Sequence, residues 1–214
     1  MSARPFALIL AAALVPCAAS AQETEWSYGA LLATDYISDG ESLSGHKPVI
    51  QGYVEVQHGL FYGGVWGSTL DDEGDHLEVE LAVGIRPVIG DVELDLRYAR
   101  TFYNKSGACC GEIALWAKYP LSDLFYITGE ASYDVDAREV SAEAAGVFEY
   151  DLDEVWSVSA AVGADINGEE DEEDSISWGF GLARALGDNA WVDVSYLDST
   201  THSAHLVAST GFDF

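Results

Sequence analysis

Between residues 76 and 102 the chain alternates oily and polar side chains with a period of two. Leu77, Val79, Leu81, Val83 and Ile85 interleave with Glu78, Glu80, Ala82, Gly84 and Arg86. Past the turn formers Pro87, Gly90 and Asp91 the alternation resumes, with Val92, Leu94, Leu96 and Tyr98 set against Glu93, Asp95, Arg97 and Ala99. Successive side chains of a strand point to opposite faces, so this segment predicts an antiparallel hairpin with one apolar and one charged face. A helix would mix the two sets around its circumference.

The same pattern predicts twelve strands, at 26–36, 48–57, 60–69, 76–86, 91–103, 111–119, 124–134, 139–150, 155–166, 175–186, 190–198 and 203–214. Parity is ambiguous in the first and third. Short turns alternate with longer polar loops (37–47, 70–75, 104–110, 135–138, 167–174 and 199–202). An even strand count, segments of about ten residues and this alternation of connections are the pattern of an antiparallel up-and-down transmembrane β-barrel of the bacterial outer membrane.

Alternation does not say which face is outside, and a soluble lipocalin-like barrel with its oily face inward is the competing architecture. Three features favour the membrane. Eight strands already enclose an interior just filled by side chains, and twelve would leave a hole that Val and Leu cannot fill. Aromatics gather at strand ends: Trp26, Tyr119, Phe125, Tyr150, Trp156, Trp191 and Phe212 at the turn end, and Tyr36, Phe102, Tyr103, Tyr133, Trp178 and Tyr196 at the loop end. Two such belts suit two membrane interfaces, although Trp116 and Trp191 have lumen parity. The last strand carries Leu206, Ala208 and Phe212 on one face and runs to Phe214, as suits a strand that closes a barrel.

At the N-terminus, Arg4, the apolar run 6–15 and Ala19-Ser20-Ala21 have the layout of a secretory signal, which predicts a signal peptide at 1–21 and a barrel from 22 to 214. Cys17 raises a lipoprotein alternative, opposed by Pro16 where a small residue is needed. Thirty-seven Asp and Glu against nine Lys and Arg give a formal net charge of −28, which excludes nucleic acid as a partner. Acidic disorder is excluded as well, because 49% of residues are hydrophobic and 12% aromatic. Cys109 and Cys110 are sequence neighbours that cannot staple distant segments; they could bind metal or form a vicinal disulfide, and the expectation is an incidental feature of a loop.

The segments Thr34-Asp35-Tyr36, 46–52 (HKPVIQG), 59–68 (GLFYGGVWGS) and Leu70-Asp71 resemble the opening of the TorF family of porins, a likeness running from about 26 to 102. The resemblance implies an outer-membrane barrel of channel function without a defined substrate. Ser38-Asp39-Gly40 departs from the Arg-Gly expected there, exchanging a positive group near the mouth for a negative one.

On the polar face the expected pore-lining set is Glu55, Glu78, Glu80, Glu93, Asp95, Arg97, Glu112, Lys118 and Glu130, with Glu143, Glu149 and Asp193 beside them. Rings of carboxylates concentrate cations and repel anions, so the expected activity is passive, cation-preferring diffusion of small solutes or ions. The expected partners are outer-membrane lipids, lipopolysaccharide and the permeating solutes. Two alternatives remain open: a salt-bridged plug that conducts nothing, and a structural or adhesive barrel. The acidic run 169–174 lacks the ligand spacing of a calcium loop, and no metal or cofactor site is expected. Arg100 breaks the oily parity near the loop end, where it could snorkel towards lipid phosphates. His202, Ser203 and His205, with Asp198 close by, are candidates for the nucleophilic chemistry of an esterase or phospholipase, but neighbours such as His202 and Ser203 point to opposite faces of a strand, so no catalytic site is expected.

Overall fold

Antiparallel pairing runs through the chain in sequence order and then returns to its start. The computed structural model describes residues 23–38, 40–72, 74–166 and 174–214. The expected signal peptide, Asp39 and residues 169–173 of the acidic run lie outside them. The strands are β1 (Thr24–Ala33), β2 (Ile37–Ser38), β3 (Glu41–Ser42), β4 (Val49–His58), β5 (Phe61–Asp72), β6 (Asp75–Ile85), β7 (Val88–Ile89) and β8 (Val92–Tyr103). There follow β9 (Gly107–Pro120), β10 (Phe125–Asp134), β11 (Val140–Asp151), β12 (Trp156–Ile166), β13 (Ser175–Ala185), β14 (Ala190–Ser199) and β15 (His205–Asp213). No helix forms among the described residues.

Twelve of these are long, and each pairs with the next long strand. The ring closes where β15 returns to β1, from Gly29 opposite Asp213 to Ala33 opposite Ser209. Tyr28 N–H donates to the Phe214 carbonyl at 3.0 Å, and Phe214 N–H donates back to Tyr28 at 2.9 Å. The architecture is a closed, antiparallel, all-β barrel of twelve strands, as the alternation predicts. Most boundaries shift from expectation by one to four residues, and the short β2, β3 and β7 add to the expected twelve strands. β1 ends at Ala33, and β9 begins at Gly107, so Cys109 and Cys110 stand in a strand and are joined to each other as a disulfide.

Side-chain exposure resolves the facing. Glu78 is 6% exposed and Leu81, three residues on along β6, is 46% exposed. Phe61, Val83, Val162, Phe180 and Leu206 lie on the outer surface in the same way. Among the described residues the buried hydrophobics are only Tyr36, Ile37, Val49, Tyr62, Leu70, Ala99 and Ala114. A lipocalin-like barrel needs an oily interior, and this barrel has the reverse. The continuous apolar exterior far exceeds the few hundred Å² that soluble monomers expose.

What core there is lies at the loop end. Residues 34–38 and 40–48 fold inward over the mouth, with Leu43 N–H donating to the Tyr36 carbonyl at 2.8 Å and Asp71 N–H to the Leu43 carbonyl at 2.9 Å. Tyr36, Val49 and Leu70 pack there against Ala33, Leu43, Trp66 and Tyr103. Tyr36 and Tyr103 therefore leave the outer aromatic belt, to which their position at strand ends had assigned them.

Candidate pore lining

The polar parity of β4, β6, β8, β9 and β10 brings the charged residues onto one inner wall. At its turn end Arg86 holds a junction. Its Nη1 and Nη2 donate to Glu55 at 2.5 and 2.9 Å, its Nε donates to Asp95 at 2.9 Å, and its guanidinium lies 3.8 Å from the centre of the Tyr62 ring. Tyr62 hydroxyl donates to the same Asp95 at 2.7 Å. Gly84 leaves the space for this phenol, since a Cβ there would meet Tyr62 Cε1 at 2.6 Å.

Above the junction, Arg97 Nη2 lies 3.5 Å from Glu130 and 3.8 Å from Glu112. Lys118 sits over the Tyr126 ring, 4.1 Å from its centre, and Tyr126 hydroxyl donates to Glu149 at 2.9 Å. Glu93 is directly opposite Lys118 in the register of β8 and β9. Glu93 Oε2 and Arg97 Nε are buried without a protein partner among the described residues. Towards the mouth, Glu78 accepts from Tyr36 hydroxyl at 3.3 Å and Tyr103 hydroxyl at 3.5 Å. Burial, and after it the nearby Glu78 carboxylate, pushes the Tyr36 phenol pKa up, so it remains a donor. Glu80 occupies the same face between Trp66 and Thr101.

The expected lining residues are thus gathered on one surface. Arg86 continues the parity of Glu78, Glu80, Ala82 and Gly84 and ends the strand expected at 76–86, yet it is missing from the expected lining set. The tyrosines that bind the carboxylates carried no signal beyond parity. The opposite wall is built from small inner residues of β12 to β15, among them Ser159, Gly163, Gly179, Gly181, Ser195 and Gly211. Between the two walls Glu130 stands opposite Glu143, and Glu143 opposite Asp165, in adjacent strands. Like charges placed directly opposite cost stability unless a cation or water lies between them.

At the loop end, Arg100 Nη1 donates to Asp136 at 2.7 Å, which places its charge on a loop carboxylate. Three of the four residues considered for nucleophilic chemistry have other partners. His202 contacts Thr201 Oγ1 at 2.9 Å and Glu41 at 3.3 Å, His205 Nε2 lies 2.9 Å from the Gly40 carbonyl, and Asp198 accepts from Tyr196. Asp35 is held by four donors: Tyr36 N–H, the Ser42 and Ser44 hydroxyls, and His46 Nδ1. Burial raises its pKa, but the hydrogen bonds from Ser42, Ser44, His46 and Tyr36 outweigh that and set the carboxyl below its ordinary value.

A family model described as "Bacterial protein of unknown function (Gcw_chp)" matches residues 17–214. No curated protein sequence matches the chain. The fold is similar to that of the KdgM porin (TM-score 0.60, 7% identity, 88% of this chain and 98% of that one). It is also similar to the NanC porin (TM-score 0.53, 10% identity, 89% and 99%) and to Omp33 of Acinetobacter baumannii, an outer membrane protein (TM-score 0.50, 8% identity, 91% and 100%). The TorF likeness concerns only the segment 26–102, and the TorF name is not the one carried by the family that the whole chain matches.

Proposed function

The chain belongs to the Gcw_chp family, and we propose that it is an exported outer-membrane channel through which small cations and solutes diffuse passively. The observation that carries this reading is the inside-out facing: an apolar exterior that only lipid would cover, around a lumen lined by carboxylates. The porin fold of the solved relatives supports it. The buried, unpaired Glu93 Oε2 and Arg97 Nε suit a wet lumen, because such groups in proteins are met by water. The small inner side chains of β12 to β15, next to the carboxylate row Glu130, Glu143 and Asp165, favour this wall as the side along which solutes would pass.

One of the solved porin structures holds an oligogalacturonate, a polyanion. The net charge of −28 favours the opposite sign of solute in this chain. A second reading, a structural barrel that does not conduct, draws on residues 34–38 and 40–48, which fold into the mouth with Tyr36 on Glu78. Planar bilayers under a KCl gradient separate the two. The channel reading expects stepwise conductance and a reversal potential of the sign set by K⁺. A reversal potential set by Cl⁻, or silence at all voltages, overturns it.

A further inference from the structure

Four of the five histidines, His46, His76, His202 and His205, lie at the loop end, and two of them meet. His46, in the segment folded over the mouth, and His205, at the start of β15, stack with ring centres 5.8 Å apart. Asp35 completes the group. Each of the three offers one ligand atom, and these atoms all lie within 4.8 Å of one another. They share an open cleft of about 540 Å³ with Thr34 and Ser203.

The surroundings orient the donors. His205 Nε2 is 2.9 Å from the Gly40 carbonyl, which can only accept, so Nε2 carries the hydrogen and Nδ1 keeps its lone pair. A histidine that donates one ring N–H to a carbonyl and presents the other nitrogen is the arrangement found around bound metals. Asp35 Oδ1 is occupied by Tyr36 N–H, Ser42 and Ser44, while Oδ2 faces His46 Nδ1 at 2.9 Å. His46 holds a left-handed backbone (φ 58°), which few non-glycine residues adopt, and its side chain is 72% exposed, so its ring is free to turn.

We propose that Asp35, His46 and His205 form a binding site for a transition-metal dication of the Zn²⁺ class at the outer mouth of the barrel. Two imidazoles and one carboxylate suit Zn²⁺, Ni²⁺ or Cu²⁺ rather than Mg²⁺ or Ca²⁺. Tetrahedral Zn²⁺ with bonds of 2.0–2.1 Å holds its ligand atoms about 3.3 Å apart, so a rotation of the exposed His46 ring closes the site. The fourth position opens to the cleft. Metal there would tie the mouth segment to the β14–β15 hairpin, and this holds whether or not the barrel conducts.

The test is titration of the tag-free, detergent-folded chain with Zn²⁺ alone at neutral pH, in competition with a chelating dye. One Zn²⁺ per chain is expected, undisturbed by excess Mg²⁺. His46→Ala and His205→Ala are each expected to weaken it at least about tenfold, while His58→Ala and His76→Ala leave it unchanged. Heat-shifted gel mobility verifies that each variant is folded. On the unaltered chain, electron paramagnetic resonance of bound Cu²⁺ is expected to show two nitrogen ligands. No saturable binding, wild-type affinity in the folded His46→Ala/His205→Ala variant, or an oxygen-only Cu²⁺ spectrum would each overturn the proposal.

Discussion

Replacing Arg86 by Met probes the charged wall at its most connected point. The guanidinium bridges Glu55 and Asp95 while stacking on Tyr62, and Met keeps most of the volume without the charge. Breaking a fully buried ion pair costs about 3–5 kcal/mol, and an exposed one about 0–1. Arg86 is 31% exposed, Glu55 20% and Asp95 16%, which lies nearer the buried limit. A loss of about 2–3 kcal/mol is expected, or about 30- to 150-fold in the folding constant. Urea unfolding in lipid vesicles, followed by tryptophan fluorescence, measures it. The triple variant Arg86→Met/Glu55→Gln/Asp95→Asn removes the stranded charges and is expected to recover to within about 1 kcal/mol of the wild type. A loss below about 0.5 kcal/mol for the single variant would refute the claim that this junction holds the wall together.

The two faces are expected to answer one substitution in opposite ways. Val162→Arg places a charge on the apolar exterior near the middle of β12 and is expected to cost about 2–4 kcal/mol in vesicle refolding. Ser159→Arg in the same strand enters the space over Gly181 between Glu149 and Asp193, and should cost less than about 1 kcal/mol. At the mouth, Asp35 has a folded pKa below its ordinary 3.8, so its stabilisation is complete above that value and disappears as pH falls through the folded pKa. Amide-exchange protection at Tyr36, whose N–H it accepts, is expected to hold to about pH 4 and fall below it, and Asp35→Asn is expected to abolish that dependence.

The long strands other than β1 and β5 were legible because an apolar exterior and a polar lumen write a period of two into the chain. Parity failed in β1 and β5 for a physical reason. Their inner residues Leu31, Ala33, Tyr62, Trp66 and Leu70 are themselves apolar or aromatic, and Ala33, Trp66 and Leu70 pack the mouth segment. That segment has no periodicity, so nothing in the sequence showed that it folds inward or that Tyr36 reaches Glu78. Arg86 shares the polar parity of its strand, but nothing in that parity shows that it bridges Glu55 and Asp95, which lie on other strands. His46 and His205 meet only because β15 closes on β1, a long-range pairing that no local pattern carries.

The central claim is that lipid meets one face of each strand and water the other. Spin labels placed singly from Leu77 to Ile85 along β6, in vesicles, test it residue by residue through collisions with oxygen, which enters lipid, and with a nickel chelate, which stays in water. Labels at 77, 79, 81, 83 and 85 are expected to favour oxygen, and those at 78, 80, 82 and 84 the chelate. The opposite phase, or no period of two, would contradict the account.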